Sequence, residues 1–372
     1  MIPDQVDRSW SDVVELCLSK EKKIAMIKDT MCKNLVIFGA GVQGLIASRY
    51  LKQCGLKISC FTDNDADKHG IMIDDTPVVS PNDPLVLYSS MVIIAARNAL
   101  LSIRQQLDQS AIPSIAFDAF FVAHEKYRIA HVRNNLLGDD RSRIIYDAIL
   151  KTMLTGDSSY CASVMENNQY FAIPEFVNIE NDHFVDAGAY VGDTLERFIW
   201  INSGIFMKIY AFEPGKPQMN AMKHRVQRLC NEWAISKSDI ICENAGLSDK
   251  NSELPINISC VLANTSLHES HNCLLDNNEI EKIHCYSLDS YLAGRPATFI
   301  KADIEGMELS MLKGARKTIK RYKPKMALSI YHNPSHIIEI AEYVNSLNPE
   351  YHMAIRHHSP IFAESVLYCW IP

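Results

Sequence analysis

The sequence is short of glycine. It has 15 glycines in 372 residues, about 4% where globular chains average about 7%, so any cluster of them stands out. It also lacks an excess of positive charge: 37 Lys and Arg face 44 Asp and Glu, a net charge of −7. A chain that neutralised nucleic-acid phosphates would carry the opposite balance, so no nucleic-acid partner is expected. Apolar runs fall well short of the ~18 residues a membrane span needs, and no span is expected. The opening MIPDQVDRSW carries Asp4 and Asp7 without the basic-then-apolar pattern of a signal peptide. None of the 11 cysteines forms a C-x-x-C pair, which reads as reduced, mostly buried thiols in a cytoplasmic protein. No serine lies in a G-x-S-x-G setting, which argues against a hydrolase.

What is present is strand–helix alternation. Hydrophobic residues make up 47% of the chain and charged residues 22%, ordinary for a globular protein of two to three domains at roughly 150 residues each. Residues 8–32 predict an amphipathic helix with Trp10, Val13, Val14 and Cys17 on one face. LVIF then runs into a glycine turn and a helix. KISCFTDND (57–65), TPVVS (76–80) and LYSSMVIIAARN (87–98) follow as strand candidates, the last succeeded by a helix through Leu107, and SIAFDAF (114–120) closes this unit. Such alternation predicts a parallel sheet covered on both faces. Residues 121–182 contain RSRIIYDAILKTML with helical spacing and read as a helical connector packed on the second domain. A second α/β unit starts at HFVDAGAYVGDT. Its strand candidates lie at 208–214, 239–248, 297–306, 324–332, 351–359 and 365–370, and its helices at 216–231, 307–320 and 334–346. A polar stretch at 249–290, with short strand signals, reads as an insertion or a β excursion over the sheet. The expected division is 1–120, 121–182 and 183–372.

The second unit carries the clearer site. A strand ending in Asp186, then Gly188 and Gly192, then a helix near Asp193 and Thr194, brings backbone close to a ligand, because glycine lacks the Cβ that would block it. Glu213 ends the next strand, where a carboxylate can accept both hydroxyls of a ribose. NAD and S-adenosylmethionine (SAM) both fit so far. The turn, however, is D-x-G-x-x-x-G rather than the G-x-G-x-x-G that sets a helix N-terminus against a pyrophosphate. Asp186 and Asp193 would repel a pyrophosphate and attract an ammonium and a sulfonium. The two strand-like segments at the end fit a hairpin closing the sheet.

VDAGAYVGDT, IYAFEP, ENAGLSD, FIKADIEGMEL, LSIYH, then RHHS and VLY, occur in that order and closely resemble the FkbM family of SAM-dependent methyltransferases over roughly residues 165–372. The resemblance implies an α/β class I SAM-dependent methyltransferase fold, a Rossmann-like seven-stranded sheet with its last strand antiparallel, here preceded by a smaller Rossmann-like α/β domain. It also implies O-methylation of a hydroxyl on a saccharide or other small metabolite. Asp186 and Gly188 would hold the methionyl end of SAM with Gly192, Asp193 and Thr194 nearby, Glu213 the ribose, and Asn244 and Ala245 the adenine. Tyr170, in a QYF block that also resembles the family, would cap the pocket. Tyr190 departs from the second glycine many class I enzymes have there. Asp303 or Glu305 would orient the acceptor hydroxyl, and Lys301 either joins them or pairs with a local acid. His332 is the candidate general base, since an unperturbed imidazole titrates near 6.5. Asp303 and Glu305 could instead ligate a divalent cation, but with no third oxygen ligand in clear position no metal is expected.

The first cluster, Gly39-Ala40-Gly41-Val42-Gln43-Gly44, follows LVIF and fits G-x-G-x-x-G in its proper context, with Asp63 ending the next strand. The downstream DNDADKHGIMIDDTPVVSP (63–81) resembles the Rossmann-like modules that precede sugar-modifying and sugar-nucleotide enzymes. A nucleotide or sugar nucleotide bound here, or a purely structural or docking role, both remain open, and His69 is one of few reactive side chains nearby. An NAD(P)-dependent oxidoreductase using this turn, and a non-catalytic ligand-sensing or scaffold protein, are the alternative functions. His268, His271 and Cys273 have metal-ligand types but no second pair at matching spacing, and read as loop residues. One of His357 and His358 is expected to face the acceptor pocket.

Overall fold

Short apolar runs build the first sheet of the computed structural model, which describes residues 2–28, 34–177, 181–257 and 280–372. The strands are β1 (Leu35–Phe38), β2 (Ile58–Thr62), β3 (Met72–Ile73), β4 (Thr76–Val79), β5 (Met91–Ile94) and β6 (Ser114–Ala116). Their order is β3-β4-β2-β1-β5-β6, parallel except for the β3–β4 pair. Every residue of β1 and β5 is buried, as central strands covered by helices on both faces require.

The segment 114–120 that closes this unit is only half strand. The strand stops at Ala116, and Phe117–His124 is helical. Six of that helix's eight residues are buried, so it has no polar face to reveal a helical period. The first helix spans Ile2–Lys28, starting and ending before the predicted 8–32. It buries Val13, Cys17, Ile24 and Ile27, whereas Val14, expected on the same face, is 40% exposed. This helix packs on Phe117–His124 and on Asp140–Thr155. Arg133 ties the layers together: it holds Asp147 through Nε at 2.7 Å and Nη2 at 2.8 Å, and donates from Nη2 to the Val6 carbonyl at 3.0 Å. The helix Asp140–Thr155 starts on an Asp139 cap and ends at Gly156 in a left-handed conformation. It also packs on a strand of the second sheet (His352–His357), so the connector touches both units rather than the second alone.

The second sheet comprises β7 (His183–Ala187), β8 (Lys208–Phe212), β9 (Ile240–Glu243), β13 (Phe299–Ala302), β14 (Lys325–Ser329), β15 (His352–His357) and β16 (Ser365–Trp370). The order is β15-β16-β14-β13-β7-β8-β9, with β16 antiparallel to both neighbours and the other pairs parallel. This is the seven-stranded α/β sheet that the sequence resemblance implies. The segment predicted as one strand at 239–248 divides after β9. β10 (Gly246–Leu247) leaves to pair with β12 (Ile280–Tyr286), which also pairs with β11 (Ser252–Asn257) in a separate sheet. The helix expected at 307–320 is two, Glu308–Gly314 and Arg316–Tyr322. His268, His271 and Cys273 lie outside the described residues. The eight cysteines among the described residues are free thiols, and no helix among those residues is long and apolar enough to cross a membrane.

Candidate active site

Beyond β7 the chain turns so tightly that only glycine fits. Gly188 has φ +75°, and a Cβ built there would lie 1.9 Å from the Asp303 carbonyl oxygen. The amides of Gly188 and Ala189 both donate to the Phe212 carbonyl, at 3.0 and 2.9 Å, which ties the turn to the end of β8. Tyr190, also left-handed at φ +47°, and Gly192 then lead into the helix Asp193–Ile201. The turn opens onto a cavity of about 370 Å³. It lies beyond the carboxyl ends of the parallel strands, where open α/β sheets bind ligands, and its size suits a small-molecule site.

One side of the cavity is built around Glu213. Its Oε2 accepts the Tyr190 amide at 2.9 Å and its Oε1 the Gly215 amide at 2.7 Å. Burial nevertheless pushes its carboxyl up, those two amides pulling the other way. Each oxygen keeps lone-pair capacity for a further donor. Asn244 Nδ2 donates to the carbonyls of Glu213 and Pro214, both at 2.9 Å, and Ala245 lines the wall. Beneath the turn Lys301 Nζ lies 3.1 Å from Asp186 Oδ1 and donates to the Gly188 carbonyl at 2.6 Å. Burial would lower the Lys301 pKa, but Asp186 and Asp303 hold it above its ordinary value. Lys301 is therefore a buried cation that fixes the turn.

The other side is a wall of carboxylates and phenols. Asp303 Oδ2 accepts from the Tyr170 hydroxyl at 2.6 Å and Oδ1 from the Tyr331 hydroxyl at 3.2 Å. Tyr331 also reaches Glu364 at 3.3 Å, and Gln169 hydrogen-bonds both Glu364 and Tyr170. Glu305, in a left-handed conformation at φ +54°, faces this space. Its Oε2 lies 3.5 Å from His332 Nε2, which is the same distance from Asp303 Oδ1. On the far side of the ring, His332 Nδ1 is 2.9 Å from Glu308 Oε1, and His336 Nδ1 is 3.2 Å from Glu308 Oε2. The Ile304 amide donates to Glu308 as well, at 2.9 Å.

These contacts set the protonation states. Burial would lower the His332 pKa, but Glu308, Asp303 and Glu305 outweigh it and raise the ring to about 9. Burial pushes the Glu305 carboxyl up to about 7 against the pull of His332, with Asp303 and Glu308 adding to the rise. Glu308, despite its burial, is held well below its ordinary value by His332 and His336. At neutral pH, then, His332 is an imidazolium that donates, not the free base with an ordinary pKa assumed from sequence.

Residues 186–353 match the family description "Methyltransferase FkbM domain". That segment is an FkbM methyltransferase domain. Residues 31–128, ahead of the FkbM domain, match the description "C2185-like, N-terminal". Among solved structures, the chain is similar to methyltransferase FkbM from Methylobacillus flagellatus KT, at 19% identity over 97% of this chain and 99% of that one, with a TM-score of 0.61. That likeness is one of fold. A weaker likeness joins it to Aeropyrum pernix fibrillarin solved with bound S-adenosyl-L-methionine, at 12% identity over 57% of this chain and 72% of that one, with a TM-score of 0.33. Comparison with the curated proteins returns no match.

Gly188, Asp193, Thr194, Glu213, Ala245, Lys301, Asp303 and Glu305 of the FkbM domain line one cavity together with Tyr170, which precedes the matched segment. Asp186, Gly192, Asn244 and His332 stand directly behind that lining. Sequence reasoning passed over Gln169, Tyr331 and Glu364, which line the cavity too, and the buried Glu308. Tyr331 and Glu308 lay inside the quoted LSIYH and FIKADIEGMEL blocks, one position from, or in helical register with, residues that were chosen. Glu364 had no signal. His357 and His358 do not face the pocket. His357 is buried against Ser365 at 2.8 Å, and burial pushes it down to about 4. His358 sits between the Glu166 carbonyl and the Tyr368 hydroxyl.

The first glycine turn is also built as a strand–turn–helix. Gly39 has φ +116°, and a Cβ on Gly44 would lie 1.9 Å from the Gly39 carbonyl oxygen. Asp63, however, is engaged within its own unit. Its carboxylate takes the amides of Ala40 and Asp65 and pairs with Lys68 at 3.1 Å, and its carbonyl meets His69 Nε2 at 2.8 Å. The crevice beside Gln43, Ala95 and Arg97 holds only about 10 Å³.

Proposed function

We propose that the chain is a SAM-dependent O-methyltransferase acting on a small, uncharged, polyhydroxylated acceptor such as a saccharide. The observation that carries this reading is one cavity with two unlike sides: a glycine turn with Glu213 on one, and the Asp303–Glu305–Glu364 wall on the other. The residues present fit the cofactor. Gly188 lets the turn pass against the Asp303 carbonyl, where a Cβ would collide at 1.9 Å, and so keeps its backbone at the cavity edge; Glu213 has lone pairs to spare for two ribose hydroxyls, and Asp193 adds negative charge suited to an ammonium and a sulfonium. When bound, SAM supplies a methyl group already activated on sulfur.

The chain's own residues would then hold the acceptor and take its proton. Carboxylates accept hydrogen bonds from hydroxyls strongly and repel phosphates, so this wall selects neutral polyols over nucleic acid or phosphorylated acceptors. Glu305, half-exposed and titrating near 7, is the group that takes the hydroxyl proton, since a general base works best with a pKa near the working pH. His332, as an imidazolium, steadies the negative charge that Asp303 and Glu305 share. Tyr170 and Tyr331 orient Asp303. Fixing the acceptor oxygen in line accounts for much of the rate. Asp303, Glu308 and His332 bring possible metal-ligand atoms within 4.8 Å of one another, yet each already has hydrogen-bonding partners, and we take the reaction to be metal-independent. Free, buried thiols support a reducing, cytoplasmic setting.

Calorimetry with SAM and with NAD, followed by mass spectrometry of a panel of glycosides and polyols, tests the proposal. SAM binding that is lost in Glu213→Ala, with a methyl added to at least one acceptor, is the expected result. Binding of NAD alone would overturn it.

A further inference from the structure

We propose that the N-terminal unit is a brace for the acceptor wall of the FkbM domain, with Arg97 and Gln43 as positioning residues for the Tyr331–His332 loop. The inference rests on the methyltransferase reading above, and it gives the first glycine turn work that no bound nucleotide supplies.

Arg97 follows β5 and is held from behind by Asp118, through Nε at 2.7 Å and Nη2 at 3.1 Å. Its remaining nitrogen, Nη1, crosses to the FkbM domain and donates to the Tyr331 carbonyl at 2.9 Å. The same guanidinium lies over the Phe362 ring, 4.5 Å from its centroid. Phe362 stands two residues before Glu364, so one arginine touches the loop 362–364 that delivers Glu364 and the loop 331–332 whose side chains meet Asp303 and Glu305. Gln43, in the first turn of the helix that the glycine cluster opens, donates from Nε2 to the His332 carbonyl at 3.1 Å. Both contacts reach main-chain carbonyls, so they fix where the loop runs while leaving the side chains of Tyr331 and His332 free to meet Asp303, Glu305 and Glu308.

The crevice beyond β1 and β5 is where an open α/β sheet would take a nucleotide. Here it has room for about one water. Part of that edge abuts the other half of the same chain. The tight packing of Gly44 on Gly39 sets the helix close to the sheet and aims Gln43 across the junction. Arginine suits its place because its planar fork serves a bidentate carboxylate and a third acceptor together, which a lysine ammonium on a flexible stem does not.

The test uses the full chain with Arg97→Ala, Arg97→Lys and Gln43→Ala. SAM affinity by calorimetry should stay within about two-fold of wild type. Turnover of whichever glycoside the wild type methylates should fall about ten-fold or more in both Arg97 variants, as a displaced wall implies, with no rescue by lysine. The NMR titration of His332, which needs no acceptor, should move from about 9 toward the ordinary imidazole value as the ring leaves Glu308. Unchanged turnover and an unchanged His332 titration would overturn the brace. So would a parallel fall of SAM affinity and melting temperature, the mark of a merely structural contact. Wild-type protein that binds no SAM would instead overturn the underlying methyltransferase reading. Gln43→Ala, the mildest change, keeps the question answerable if Arg97→Ala does not fold.

Discussion

Two glycine turns in one chain follow the same path and end differently. Each leaves a buried strand, each uses a glycine whose Cβ would collide with a carbonyl at 1.9 Å, and each faces an acid at the end of the next strand. The 188–192 turn opens onto about 370 Å³ and the 39–44 turn onto about 10 Å³. The acids explain part of the contrast. Glu213 takes one amide on each oxygen and still faces the cavity, whereas Asp63 serves Ala40, Asp65 and Lys68. The neighbouring chain explains the rest, since Arg97 and Asp118 fill the space that a ligand would need. A glycine motif therefore specifies a backbone path; what packs against that path decides whether it holds a ligand.

The sharpest way to break this comparison is to add one methyl group to each turn. Gly188→Ala should abolish SAM binding in calorimetry and destabilise by roughly 2–5 kcal/mol, from overpacking together with a left-handed backbone. Gly44→Ala should cost roughly 1–3 kcal/mol in thermal denaturation yet leave SAM affinity nearly unchanged in the molecules that fold. Equal loss of SAM binding in both would erase the distinction. The paired acids come next. Glu213→Ala should weaken SAM about 100-fold, the loss of two charge-assisted hydrogen bonds, while Asp63→Ala should cost about 1–2 kcal/mol of stability and less than two-fold in affinity.

Smaller effects come from pH. With Glu305 acting as base at about 7 and His332 acting as imidazolium up to about 9, kcat/KM should rise through pH 7 and fall above pH 9. Glu305→Gln should remove the acid limb, and a rate flat across that range in wild type would discard both roles. The smallest effect is on stability. The folded His332 pKa lies above its unfolded value near 6.5, so its contribution is complete below pH 6.5 and disappears as pH rises through 9. Melting curves should lose roughly 1–3 kcal/mol over that window, and less in His332→Gln.

The glycine-turn side of the site was legible because Asp186, Gly188, Gly192 and Glu213 follow one another at the spacing a strand–turn–helix–strand imposes. The carboxylate wall was legible in part. Asp303 and Glu305 end a strand, which sequence can place, but Glu364 arrives through the β15–β16 hairpin, whose path is set by sheet order rather than by local pattern. Charge states were not legible at all. The rise of His332 depends on Glu308, Asp303 and Glu305 meeting it in space, and an isolated imidazole value missed it. The helix Phe117–His124 escaped because burial on nearly every side leaves no polar period to read. Gln43 and Arg97 were invisible as positioning residues, since their partners are main-chain carbonyls in the other half of the chain.

The Arg133–Val6 contact carries a consequence for biosynthesis. The helix Ile2–Lys28 is made before the surfaces it docks on, Phe117–His124 and Asp140–Thr155, the first of which begins 89 residues after Lys28. Until then Val13, Cys17, Ile24 and Ile27 have nowhere to hide, and a nascent chain with such a waiting apolar stripe is open to aggregation or chaperone capture. Translation speed through the first sheet thus sets how long this helix stays exposed.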